Sequence, residues 1–68
     1  MSASEKIRIA LVKRNMSIKE LANKINTTPQ NLSNKLSRDS FTFKEMMVIA
    51  DVLNCELRLI MKDTGEKI

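Results

Sequence analysis

Apolar positions recur with a helical period through the first three quarters of the chain and with a period of two near its end. Ile7, Ala10 and Leu11 make the inner stripe of a first helix predicted from about Ser4 to Arg14. Ser2-Ala3-Ser4-Glu5 offers a capping box at its start. A second helix begins at Ser17, where Ser17-Ile18-Lys19-Glu20 is again a capping box and Met16 can pack on Leu21 as a hydrophobic staple. Ile18, Leu21, Ala22 and Ile25 then fall on one helical face. Asn26 suits the left-handed backbone of a helix end, Thr28 suits an N-cap, and Pro29 suits the first helical position. A third helix is therefore expected within a few residues of the second, and so short a connection makes the pair cross steeply.

A fourth helix starts at Thr42 with the capping box Thr42-Phe43-Lys44-Glu45 and runs to about Leu53, where Asn54 repeats the capping role of Asn26. Phe43, Met46, Met47, Ala50 and Leu53 form its predicted main face, with Val48, Ile49 and Val52 outside it. From Cys55 the period changes: Cys55, Leu57, Leu59 and Met61 alternate with Glu56, Arg58, Ile60 and Lys62. Asp63-Thr64-Gly65 reads as a turn, after which Glu66–Ile68 can return as a second strand. The expected layout is one mainly α domain: helices over residues 1–54, with a motif at 17–37, and a C-terminal strand or short hairpin over 55–68 packed on them.

The third helix is short of apolar residues, and what it carries instead is informative. At about 100° per residue, Leu32, Leu36 and Pro29 cluster on the predicted core side, while Gln30 and Asn34 lie opposite with Asn31 close by. Side-chain amides can pair bidentately with the major-groove edge of adenine. Phosphates call for cations, hydroxyls and capped helix starts, and Lys19, Thr28, Lys35, Arg38, Thr42 and Lys44 surround the amide row. A polar helix face that merely meets solvent is the plainer alternative.

Composition sharpens this picture modestly. The 68 residues carry a net charge of +4, and the whole excess lies in the first 54, with nine Lys or Arg against five acids. A basic surface of this kind suits nucleic acid. Two Phe and no Trp or Tyr leave aliphatic residues and five Met to fill a small core. No apolar run reaches the roughly 18 residues of a membrane span, and no secretory leader is visible at the N-terminus. Cys55 stands alone, which suits a reducing compartment such as the cytoplasm, and is expected to be a buried structural thiol. With no His, one Cys, no nucleophile–base pair and no Gly-rich phosphate loop, neither a metal site, a cofactor nor an enzyme is expected.

The stretch Met16–Leu36 resembles the helix-turn-helix core of the lambda-repressor-like, Cro/repressor-type (xenobiotic-response-element) DNA-binding proteins of bacteria and phages. Leu21-Ala22, Ile25, Thr27-Thr28 and Leu32 carry the resemblance, which extends over about residues 5–54. Ala22 stands where that family places a small residue between its two motif helices. Asn26 replaces the family's usual turn glycine, and Lys35-Leu36 shifts its second apolar position by one residue. The resemblance implies a four-to-five-helix fold and base reading by Gln30, Asn31 and Asn34, with Pro29 and Ser33 contributing. It also implies phosphate contacts from the start of the second helix, Ser17, Ile18 and Lys19, and from the region from Lys35 to Lys44, which includes Arg38 and Thr42. A fifth helix, common in that family, gives way here to the strand-like tail.

The resulting expectation is a sequence-specific regulator of transcription, most simply a repressor that occupies double-stranded DNA as a homodimer. Leu57, Leu59, Ile60 and Met61, helped by Ile9 and Val12, are the candidate subunit interface; a monomer whose tail caps its own core is the alternative. An antitoxin or mobile-element accessory protein, and a protein-interaction module without DNA binding, are the competing functions.

Overall fold

The structure, a computed structural model, describes residues 2–68. Among these residues, four helices make up a small, mainly helical fold: α1 (Ala3–Lys13), α2 (Ile18–Lys24), α3 (Pro29–Arg38) and α4 (Phe43–Val52). Each begins at a hydroxyl residue, Ser2, Ser17, Thr28 or Thr42, whose side chain accepts from a backbone N–H of the first turn. At Ser17 and Thr42 the capping box is complete, with Glu20 and Glu45 reaching back to the cap. At Ser2 only the forward half is made, from the Glu5 N–H.

The helix ends share one chemistry as well. Asn15, Asn26, Asp39 and Asn54 all have φ between 53° and 59°, the left-handed region that Asn and Asp tolerate best after glycine. Each left-handed residue and its successor donate back into the last turn: Asn15 to Val12 and Met16 to Leu11, Asn26 to Asn23 and Thr27 to Ala22, Asp39 to Leu36 and Ser40 to Lys35, Asn54 to Asp51 and Cys55 to Ala50. This is the Schellman closure, repeated four times without a glycine. Asn26 and Asn54 were expected in this role from the sequence, whereas Asn15 and Asp39 were not.

α2 lies at the centre and packs on α3 and α4, with Leu21 and Ala22 both 0% exposed. Ile7 and Leu11 from α1, Leu32 and Leu36 from α3, and Ile49 and Leu53 complete the core. Three polar ties fasten the helices around it. The Ser4 hydroxyl donates to the Leu36 carbonyl at 2.7 Å, Arg14 Nε donates to the Leu53 carbonyl at 2.8 Å, and Lys35 Nζ meets Glu45 Oε2 at 2.6 Å.

Three expectations about packing are corrected. On α4 the inward residues are Ile49 and Leu53, with Met46 and Val52 packed beside them, while Phe43 and Met47 are exposed. The helix is apolar on so much of its circumference that periodicity could not choose a face, and α2 took the side carrying Ile49. Pro29 is exposed, since at the first position of α3 it precedes the level at which Leu32 meets the core. Cys55 is exposed too, because the chain has already left α4 and its thiol reaches only the Leu53 carbonyl.

The tail forms less structure than its alternation predicts. A single antiparallel bridge joins Ile60 to Lys67 around the expected turn, where Gly65 takes φ 74°. No named strand forms among the described residues. One bridge without a covering face is too little to sustain a regular hairpin. Leu57 borders a cleft against α1 and α4, but Leu59 is 66% exposed, and Leu57 and Met61 stay about two-fifths exposed, so the tail does not cap the core.

Candidate nucleic-acid interface

α3 separates its residues cleanly. Leu32 and Leu36 are buried against the rest of the protein, and Gln30, Asn31 and Asn34 are exposed on the other side, with Ser33 half-buried between. The Thr28 cap accepts from the Asn31 N–H at 3.1 Å, and Pro29 follows at the first helical position, so the helix start is fixed beside the amides. Gln30 Nε2 donates to Asn34 Oδ1 at 3.3 Å. That bond joins positions four apart, aligning the two amides along the helix axis. A row of amides held this way presents donors and acceptors together, the combination needed to read a base edge.

The surrounding cations and hydroxyls differ in how available they are. Lys19, Arg38 and Lys44 are exposed, and no salt bridge engages them among the described residues. Ser17, Thr28 and Thr42 are exposed caps whose oxygens already accept from the backbone of Glu20, Asn31 and Glu45. A hydroxyl acceptor keeps its proton to donate, and at Ser17 that proton already faces Glu20 Oε1 at 3.4 Å. Lys35 stands apart: it is half-buried and engaged with Glu45. Glu45 also accepts from the Thr42 N–H at 2.9 Å. The Lys35 hydrogen bond first, and the Thr42 backbone second, hold the Glu45 carboxyl below its ordinary range. Glu45 thus links the end of α3 to the start of α4, a role the sequence hid because its capping box already explained it.

A shallow cleft of about 230 Å³ lies behind this pair, lined by Ile25, Leu32, Phe41, Val48 and Ile49. The Ile9 and Val12 side chains are exposed on α1 beside Arg8 and Lys13. The tail instead borders Lys6, Ile7 and Ala10, so Ile9 and Val12 are not brought to the surface that carries Leu57.

The family model for a domain of unknown function, DUF6471, matches residues 1–57. The chain belongs to the DUF6471 family. No curated protein and no solved structure matches it. The DUF6471 match takes in all four helices, the amide row and the first residues of the tail, and it ends before the Ile60–Lys67 bridge. No helix of this DUF6471 protein, among the described residues, is long and apolar enough to cross a membrane.

Proposed function

We propose that this protein is a sequence-specific double-stranded DNA-binding regulator of transcription, most simply a cytoplasmic repressor, with α2 and α3 acting as a helix-turn-helix. The observation that carries the reading is the exposed amide row, with Gln30 and Asn34 opposite the buried Leu32 and Leu36 and Asn31 beside them. In this reading α3 enters the major groove and the amides read base edges, with Pro29 and Ser33 at the margins. Ser17, Lys19, Thr28, Arg38, Thr42 and Lys44 supply phosphate contacts, and Lys35 does so only by leaving Glu45. The resemblance to lambda-repressor-like, Cro/repressor-type proteins supports the same assignment. Two copies reading two half-sites would act as a homodimer.

The exposed Phe43, Met47 and Val48 on α4 favour a second reading, a surface that binds another protein, as an antitoxin or an interaction module would. Selection of bound sequences from a pool of random duplex DNA separates the two. Enrichment of a motif that disappears when Gln30 and Asn34 are both replaced by Ala supports base reading. Recovery of unenriched DNA, or none, overturns it.

A further inference from the structure

The tail leaves main-chain groups open. Among the described residues, Glu56, Leu57 and Arg58 have no backbone hydrogen-bond partner. Met61 donates to the Glu66 carbonyl and Ile68 donates to the Leu59 carbonyl, so residues 59 and 61 turn their polar groups toward the returning segment. Successive residues of an extended segment address opposite edges, which assigns Ile60, Arg58 and Glu56 to the edge away from the returning segment, near the cleft that Glu56, Leu57 and Arg58 share with α1 and α4. Leu59, Ile60 and Met61 are all well exposed beside it. A segment with open main-chain groups and exposed apolar side chains beside them is a template for pairing with another strand.

The sequence decides which strand fits. Run antiparallel to itself about Leu57, the segment Cys55-Glu56-Leu57-Arg58-Leu59 places Glu56 opposite Arg58 of a second copy, and Arg58 opposite that copy's Glu56. On the other face Leu57 meets Leu57, and Cys55 meets Leu59. Within one chain Glu56 and Arg58 already form an ion pair on one side of the segment. Centring on Arg58 would set Arg58 against itself, and centring on Ile60 would set Arg58 against Lys62. Centring on Leu59 would need Lys62 as the partner of Glu56, but Lys62 belongs to the turn.

We infer that residues 55–59 form an antiparallel ladder with the same residues of a second copy, centred on Leu57, in which the Glu56–Arg58 pair is exchanged between chains. The inference rests on the two-copy reading above but not on base reading by α3. The Glu56 and Arg58 backbones exchange hydrogen bonds, and Leu57–Leu57 and Cys55–Leu59 are the closer, non-hydrogen-bonded pairs. The stretch is short, so the cross-strand charges carry much of its specificity.

Sedimentation equilibrium of the full chain without DNA tests this. Wild type is expected to dimerise at micromolar concentration, and E56R and R58E are each expected to dimerise at least about tenfold more weakly. Mixing E56R with R58E is expected to restore dimer, because both cross-strand pairs return although neither chain has an internal one. In L59C, mild oxidation is expected to join chains through Cys55 and the new thiol, a pair close enough to bridge. The helical circular dichroism of these variants should match wild type, since none alters a core residue. A monomeric wild type, a dimer indifferent to both charge reversals, or a mixture no stronger than its components overturns the ladder. The duplex selection, read separately, reports on α3 whichever result is obtained.

Discussion

Ser4 and Asp39 join the start of α1 to the end of α3. The Ser4 N–H donates to Asp39 Oδ1 at 2.8 Å, and the buried Ser4 hydroxyl donates to the Leu36 carbonyl at 2.7 Å. One residue thus satisfies an unpaired donor of its own first turn and adds a second, shorter bond to a carbonyl in another helix's last turn, which the Asp39 N–H reaches only at 3.3 Å. Asp39 serves twice as well, because its left-handed backbone ends the helix whose carbonyl Ser4 caps.

Removing either half of this latch should weaken the fold. Ser4→Ala leaves the buried carbonyl with only the longer bond from the Asp39 N–H and is expected to cost about 1 kcal/mol in urea unfolding. Asp39→Ala loses the acceptor and places alanine at positive φ, for a loss of about 2 kcal/mol. Asp39→Asn keeps an oxygen at that position and a residue that accepts the backbone, so it should retain most of the stability. Equal losses for the two Asp39 variants would show that the carboxylate charge, rather than the geometry, matters.

Arg14 performs the same service for α4. Its guanidinium donates to the Leu53 and Asn54 carbonyls at 2.8 and 3.1 Å, where the helix macrodipole favours a cation. Arg14→Met keeps much of the stem packing but loses both bonds, and is expected to cost about 1 kcal/mol by the same denaturation. Lys13→Met, one residue away, should be nearly neutral.

Much of this framework could be read from the residues, because it rests on local chemistry. The four caps and the helices they open follow from Ser or Thr placed before an apolar stripe. The outward turn of Gln30 and Asn34 follows from Leu32 and Leu36 pointing inward. What could not be read depends on partners far apart in sequence. Ser4 shares the face of Ile7 and Leu11, a sign of burial, yet nothing local says that its hydroxyl meets Leu36. On α4, apolar residues nearly all round put Phe43 and Met47 on the expected inner face and left Ile49 outside it, the reverse of what the packing shows. In the tail, alternation revealed a strand-forming pattern but not whether this chain would cover it.

Glu45 gives the protein an acid-sensitive link. Its carboxyl is held below the ordinary value of 4.5 in the folded state, chiefly by Lys35. A carboxyl depressed on folding contributes stability that is complete above its unfolded pKa and lost as pH falls through its folded one. Thermal stability of wild type should therefore decline as pH drops below about 4.5, and Glu45→Gln should show a shallower decline over that window. Both side chains of the pair are partly open to solvent, so the difference should be modest and should shrink further at high salt. Identical acid limbs for the two proteins would remove Glu45 from this role.

The proposed division between base readers and phosphate contacts makes two kinds of variant behave differently. Gln30→Ala or Asn34→Ala should cost about 1–3 kcal/mol on the selected sequence and little on random duplex, relaxing preference at the contacted positions. With no arginine among the amides, those positions should favour A·T pairs. Lys19→Ala, Arg38→Ala or Lys44→Ala should weaken binding to all sequences alike and reduce the slope of log affinity against log salt by about one each. Lys35→Ala should do less than these, because Lys35 begins in an ion pair that DNA would have to break. Glu45→Gln should act in the opposite direction, releasing Lys35 and removing a negative charge beside it, so that random duplex is bound more tightly than by wild type. A Lys35 effect as large as that of Arg38, with no gain from Glu45→Gln, would mean that the pair opens without cost when DNA arrives.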